Sequence, residues 1–271
     1  MYMMAPAPAG FVEFNSGSLS VRLARSVAEI DAAQALRFDV FHDEMGAQAG
    51  ADAAAARRDR DRHDDVADHL VVVDHASPGP VAQVVATYRM IRAEAAAKVG
   101  GFYSQSEFDI APLLGEGRRV LELGRSCVHP AYRNGRAMQL LWRGLAGYVA
   151  EHRIDLMFGC ASLPGTDPAR VANQLAYLHR HHLAPKSMRP HALAGRHVEM
   201  RWHGMEDIDP RQAQAGLPPL VKGYLRLGGW VGDGAVIDDA FNTIDVAIVL
   251  RTELVTARYL RHYDLALSAA A

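Results

Sequence analysis

A carboxylate and a guanidinium inside an apolar strand are the residues of this sequence best placed to do chemistry. The run Val120 to Val128, VLELGRSCV, predicts a strand, yet Glu122 and Arg125 stand where a buried strand normally carries Val or Ile. Burying either charge is costly unless it is paired or used. Side chains alternate along a strand, so two residues three apart point to opposite faces. Gly124 lies between them and marks a candidate bulge. A bulge would bring both side chains to one face and leave a backbone N–H of Ser126 to Val128 free to bind a carbonyl oxygen. The alternative is a buried ion pair that only fixes the strand. The strand is followed by His129-Pro130-Ala131-Tyr132-Arg133-Asn134-Gly135-Arg136, a basic turn entering a helix. Free N–H groups at a helix N-terminus suit a phosphate, and Arg133 and Arg136 add positive potential there.

The surrounding elements must position these groups. Leu19 to Ala24 predicts a strand. Ser26, with Glu29 three residues on, predicts a capping box opening a helix whose apolar stripe, Val27, Ile30, Leu36, Val40 and Phe41, runs to Met45. Residues 46–67 are Ala rich, then densely charged with both signs, which reads as a solvated loop or frayed helix. Leu70 to Val73 and Val81 to Met90 predict a hairpin around Ser77-Pro78-Gly79-Pro80. Residues 100–114 read as irregular, with Phe102, Tyr103 and Phe108 as apolar anchors. A helix is predicted from Ala137 to His152 and a strand from Ile154 to Cys160. Asp167 as N-cap and Pro168 at the first position open a further helix ending near His182. Beyond residue 185 the pattern weakens, with a Gly-rich stretch over 217–235 and a strand over 244–250. Two consecutive strands in a hairpin argue for a mixed α/β domain, not a doubly wound one.

Composition narrows the function classes. The 271 residues, 49% of them hydrophobic, suffice for one large domain with an extension. The expected division is a loose segment over 1–18, a core over 19–185 and a C-terminal extension over 186–271 packed on the core. A net charge of −2 argues against a nucleic-acid partner. Cys127 and Cys160 both sit in apolar runs, which predicts buried free thiols and a cytoplasmic protein. The opening MYMMAPAPAGF lacks the charge and apolar run of a secretory signal. No run approaches the ~18 apolar residues of a membrane span, so any membrane contact is expected to be peripheral, at the inner membrane. His179, His181 and His182 have no Cys or Asp at ligand spacing and suit a helix C-terminus, so no metal site is expected.

Strand, V-x-P-x-Y-R, Gly and amphipathic helix together resemble the acyl-donor motif of the GNAT N-acyltransferase superfamily. The usual acetyl-CoA loop has small residues at the fourth and sixth positions counted from Arg133; here those positions hold Arg136 and Met138. The departure points to a subgroup that takes acyl groups from acyl carrier protein. LELGRSCVHPAYR, QLLWRGLAGYVAEH, LMFGCASLPGTDP, AYLHRHHLAP and LPPLVKGYLRLGGWVGDGAVIDDAFNT, spread over 121–243, closely resemble the bacterial L-ornithine N-alpha-acyltransferases. RFDVFHDEM, DHLVVVD, TYRMIR and GGFYSQSEFD extend the likeness back to residue 37. The resemblance implies a GNAT-like fold with a mixed central sheet and flanking helices. The implied reaction moves a 3-hydroxyacyl chain from carrier protein to the α-amine of L-ornithine, giving lyso-ornithine lipid. No dissociable cofactor is implied, because the phosphopantetheine arrives on the carrier protein.

The subgroup also resembles acyl-homoserine-lactone synthases, whose polar constellation carries over to Arg37, followed by Val40 and Phe41, to Asp61 and Asp64 among five nearby Asp, to Arg89, and to Glu122 and Arg125. In this reading Arg89 or Arg125 clamps the ornithine carboxylate, Asp61 and Asp64 hold the side-chain ammonium, and Glu122 is the base, with Arg125 alternatively orienting it. Tyr177 matches a Tyr that protonates the leaving thiolate. Phe102, Tyr103, Phe108 and Trp142 are the expected walls of the acyl cleft. Arg118, Arg119, Arg133, Arg136 and Arg143 are the expected docking patch for an acidic carrier protein, with Val128 beside the donor. Rival readings keep the donor and change the acceptor to lysine, glutamine or homoserine lactone formation. Two others are a membrane-acting protein and a catalytically silent carrier-protein binding module.

Overall fold

The computed structural model describes residues 13–77, 83–201, 209–253 and 255. In chain order its elements are β1 (Phe14–Ser16), β2 (Leu19–Leu23), α1 (Val27–Phe38), α2 (Ala51–Ala56), β3 (Asp68–Asp74), β4 (Gln83–Arg92), α3 (Ala93–Ala96), β5 (Phe108–Asp109), β6 (Val120–Val128) and α4 (Arg136–Glu151). Then follow β7 (Leu156–Pro164), α5 (Ala172–His182), β8 (His191–Ala192), β9 (His197–Val198), α6 (Pro210–Ala215), α7 (Pro219–Arg226), β10 (Trp230–Asp238) and β11 (Thr243–Arg251). The chain divides into two compact units, Met1–Phe102 with Leu123–Arg153, and Tyr103–Glu122 with Ile154–Ala271.

The first unit is built on the antiparallel order β1-β2-β3-β4, with the later part of β6 beside β4. Val71 and Val73 of β3 pack with Ala33 and Leu36 of α1, together with Val84 and Cys127. Leu70, on the other face by strand alternation, meets α4 at Gly144. A Cβ at Gly144 would lie 2.7 Å from Val21 Cγ2 and 3.0 Å from Leu70 Cδ1, so this glycine lets α4 approach the sheet closely. The expected loose segment 1–18 is corrected in its last part: Phe14–Ser16 pairs with β2 through a tight turn at Gly17, whose φ of 62° suits glycine. Residues 1–12 lie outside the described residues, as do 78–82, which hold most of the expected hairpin turn, and 202–208.

The capping box is half formed. Ser26 Oγ accepts from the Glu29 N–H at 3.2 Å, but the Glu29 carboxylate accepts from the Arg25 N–H and from the Arg22 guanidinium instead of closing on Ser26. A buried arginine on β2 is the stronger competitor, being charged. Past Phe38, α1 widens into a π-helical turn over Asp39–Glu44; Ile30, Leu36 and Val40 of the predicted stripe are buried, whereas its two ends, Val27 and Met45, are exposed.

In the second unit Val120–Glu122 of β6 pair in parallel with Leu156–Phe158 of β7. β7 runs antiparallel to β11 over nine residues, β11 antiparallel to β10, and β10 borders β8 in parallel and β9 antiparallel. The sheet of the second unit is therefore mixed, as the sequence predicts. β10 and β11, within the expected extension, are hydrogen-bonded members of this sheet. α5 packs on β10, and α7 on β7. Among the described residues no helix is long and apolar enough to cross a membrane.

Candidate functional site

The sequence places Arg37 in the last turn of α1, Arg89 on β4 and Arg125 on β6, and the structure gathers all three in the first unit around one acidic loop. That loop is the charged run after α2. Asp59 N–H bonds the Gln34 carbonyl at 3.1 Å, pinning the loop to α1. A short 3₁₀ turn, Arg62–Asp65, then turns Asp61 and Asp64 inward: Asp61 Oδ1 accepts from the His63 N–H, and Asp64 Oδ2 from the Asp61 N–H.

The ion pairs are dense. Arg37 gives Nε to Asp59 at 2.6 Å and both terminal nitrogens to Asp64 at 2.5 and 3.1 Å. Arg89 Nη1 bonds Asp61 at 2.7 Å and Asp64 at 3.0 Å. Arg125 reaches Asp59 at 3.2 Å and Asp61 at 3.3 Å. Burial alone would raise the carboxyl pKa values. For Asp64 the Arg37 and Arg89 charges outweigh burial, and for Asp61 the His63 hydrogen bond with the Arg89 and Arg125 charges does so. Both are held well below the usual carboxylate range, and Asp59 is lowered by Arg125 and Arg37. Three arginines and three aspartates thus balance inside the unit.

The side chains of Arg37, Arg89 and Asp64 are 1%, 2% and 0% exposed and their charges face one another. Asp61 keeps 25% of its side chain exposed and Arg125 keeps 11%. Asp59 is the member that sequence reasoning missed. In a run with Arg at 57, 58, 60 and 62, nothing in the sequence says which Asp turns inward.

The expected irregularity of β6 falls one residue later than predicted. Gly124 has no left-handed backbone and open space at its Cβ position, whereas Arg125 has φ of 52°. A left-handed conformation costs a non-glycine residue about 1–2 kcal/mol. The ion pairs of Arg125 with Asp59 and Asp61 offset that cost.

Glu122 belongs to the second unit, where it is 2% exposed. Its Oε2 accepts from the Tyr103 N–H at 2.9 Å, and its Oε1 accepts from the Ser104 N–H at 2.7 Å and from Ser104 Oγ at 2.5 Å. Backbone N–H groups can only donate, so both oxygens act as acceptors. Ser104 had no signal in the sequence. Its Oγ also lies 3.5 Å from Cys160 Sγ. Cys160 as a residue is half-buried, though burial pushes its thiol well above the usual thiol range, and Cys127 is buried. Burial pushes the Cys127 thiol up to about 12.

The remaining expected residues are placed individually. Tyr177, on α5, is buried, and its hydroxyl lies 3.2 Å from His182 Nε2. Phe102 is buried in the first unit and Trp142 is half-buried on α4, whereas Phe108 is a core residue of the second unit, 1% exposed. Val128 is buried, and its carbonyl accepts from Arg133 Nε at 3.0 Å. The two terminal nitrogens of Arg133 clasp the Glu44 carboxylate at 2.5 and 2.7 Å, so this arginine is neutralised within the protein. Arg136 is exposed at the start of α4. Arg118 donates to the carbonyls of Pro112 and Leu113, and Arg119 lies 3.5 Å from Asp155. His179 faces Asp233 at 3.5 Å. Among the described residues the one gathering of three potential metal donors lies elsewhere, at Glu107, Cys160 and Asp245.

A family model described as acetyltransferase (GNAT) domain matches residues 36–143, a span holding both the acidic loop and β6. An L-ornithine N(alpha)-acyltransferase of Rhizobium meliloti (strain 1021) is 47% identical over 260 residues, covering 95% of this chain and 88% of that protein. A protein of the same name from Brucella abortus (strain 2308) is 49% identical over 250 residues, covering 91% of this chain and 89% of its own. The solved structure of FeeM, an N-acyl amino acid synthase from uncultured soil microbes, aligns with a TM-score of 0.50 at 13% identity, over 89% of this chain and 94% of that one, a likeness of fold alone. The chain is a GNAT-fold acyltransferase and belongs to the L-ornithine N(alpha)-acyltransferase family.

Proposed function

We propose that this protein transfers a 3-hydroxyacyl chain from acyl carrier protein to the α-amine of L-ornithine, giving lyso-ornithine lipid and free carrier protein. The names of relatives at 47–49% identity support the acceptor and the reaction. The amine nitrogen attacks the thioester carbonyl, a C–N bond forms and the C–S bond breaks. An α-ammonium must first give up a proton, and Glu122 is the assigned base. A carboxylate offers about four lone-pair positions. Three meet Tyr103 and Ser104, and the fourth, on Oε2, takes the amine proton. Tyr177 is assigned the return of a proton to the leaving thiolate.

Acceptor binding is assigned to the two cluster members that retain exposure, Asp61 for the side-chain ammonium and Arg125 for the carboxylate. Arg37, Arg89 and Asp64 hold those two in place. Phe102 and Trp142 are assigned to the acyl chain. Arg136 and Arg143 lie seven residues apart on α4, hence on one face, and suit an acidic carrier protein. Arg133 contributes less there because Glu44 neutralises it. The pantetheine arrives on the carrier protein, so no resident organic cofactor is required. An amphiphilic product fits a cytoplasmic enzyme working against the inner membrane.

Glu122→Gln tests the assignment. With 3-hydroxyacyl carrier protein and L-ornithine, kcat should fall by about 10²–10⁴, the usual worth of a positioned base. Turnover close to wild type in a folded variant would remove Glu122 as base.

A further inference from the structure

We propose that Glu107, Cys160 and Asp245 form a site for one divalent cation of the zinc class, within the second unit. A carboxylate oxygen of Glu107, the sulfur of Cys160 and a carboxylate oxygen of Asp245 lie within 4.8 Å of one another. Three separate parts of the chain bring them together. In the β7/β11 register Cys160 faces Ala247, so Asp245, two residues along, shares its face of the sheet, with only a methyl group opposite the sulfur. Glu107 comes from the turn before β5. Its backbone is fixed at both ends, N–H to the Ser104 carbonyl at 3.1 Å and carbonyl to the Leu193 N–H at 2.9 Å.

A second, independent observation points to a ligand. Glu107 is 1% exposed, and its Oε2 is buried with no hydrogen-bond partner. A buried, unpaired carboxylate oxygen is costly and calls for a partner. Thr243 Oγ1 meanwhile donates to Asp245 Oδ1 at 2.8 Å, the kind of contact that orients a ligating carboxylate. The neighbouring cation, Arg196, gives its terminal nitrogens to the carbonyls of Ser106 and Ile237, each at 3.0 Å.

The donor set selects the ion. Calcium and magnesium want six or more oxygen ligands and avoid sulfur. Zinc takes thiolate and carboxylate together at about 2.0–2.3 Å, with a fourth position left to water. Bonds of that length need the three donors to close in by roughly 1 Å, within the reach of side-chain rotation. The ion would tie β7 and β11 to the turn that carries Ser104, whose N–H and hydroxyl hold Glu122. The site would thus brace the turn beside the base, and it stands independently of the acceptor assigned above.

Cobalt(II) is the probe, because a thiolate ligand gives it an intense near-ultraviolet charge-transfer band. Titrating the full-length apoprotein should develop that band with one cobalt per chain, and zinc(II) should abolish it by displacement. Cys160→Ala should remove the band and Cys127→Ala should leave it. Glu107→Gln and Asp245→Asn should each weaken binding by at least about tenfold, the scale of losing metal-site partners. Zinc should also protect Cys160 of the unaltered protein from a thiol reagent, a readout that needs no variant. Absence of the band, its survival in Cys160→Ala, or unprotected Cys160 at saturating zinc would overturn the proposal and leave a proton shared between Glu107 and Asp245.

Discussion

Replacing Asp64 by Asn removes one charge from the ion-pair cluster at little change in shape. Asp64 accepts from both terminal nitrogens of Arg37, from Arg89 and from the Asp61 N–H, and its side chain is 0% exposed. In the variant three arginines face two aspartates, and the Asn amide can satisfy only part of the donors Asp64 serves. Breaking one partner of a buried, hydrogen-bonded pair costs about 3–5 kcal/mol. A domain is typically stable by about 5–15 kcal/mol, so the loss is about a fifth or more of the total. Urea unfolding followed by tryptophan fluorescence measures it. Arg37→Ala should cost a similar amount, and the double variant should lose clearly less than the two singles together, because they remove one interaction. A loss below about 1 kcal/mol for Asp64→Asn, the value of an exposed pair, would refute the reasoning that Asp64 is a brace.

Asp59, Asp61 and Asp64 all have carboxyl pKa values lowered by folding, so their stabilisation is full above the unfolded value near 4 and drains away as pH falls below it. Below that value the unfolded chain binds more protons at these positions than the folded one, which predicts falling stability and an acid transition by circular dichroism; stability that stays constant as pH falls through about 4 would contradict the cluster. Gly144→Ala drives a methyl group into Val21 and Leu70 and should cost about 1–3 kcal/mol in thermal unfolding. Arg133→Ala breaks a pair that is 42% and 40% exposed, so its stability change should stay below about 1 kcal/mol. Asp61→Asn, on the exposed side of the cluster, should raise KM for ornithine with a smaller stability loss than Asp64→Asn, as unfolding and kinetics on the same sample will tell.

Much of the architecture is written in local pattern. The continuous apolar run Leu70 to Val73, the spacing of Leu140, Leu141 and Leu145, and Asp167-Pro168 at a helix entrance each specify an element without help from distant residues. Features set by tertiary contact were not legible. β1 is three residues long and exists because β2 offers it an edge. Glu29 abandons its capping partner because Arg22 comes close only in the fold. The strand distortion moved from Gly124 to Arg125 because Asp59 and Asp61 hold the arginine there. The candidate site divides the same way. Charged residues within strands announce Glu122, Arg89 and Arg125, but Ser104, Asp59 and Glu107 declare themselves only through partners more than a dozen residues away.

The most direct test of the central claim is to give the purified protein 3-hydroxyacyl carrier protein with a mixed pool of free amino acids and to identify the acylated products by mass spectrometry. The expected product is acyl-ornithine modified on its α-amine, with release of free carrier protein. An intact donor thioester and no acylated amino acid would contradict it.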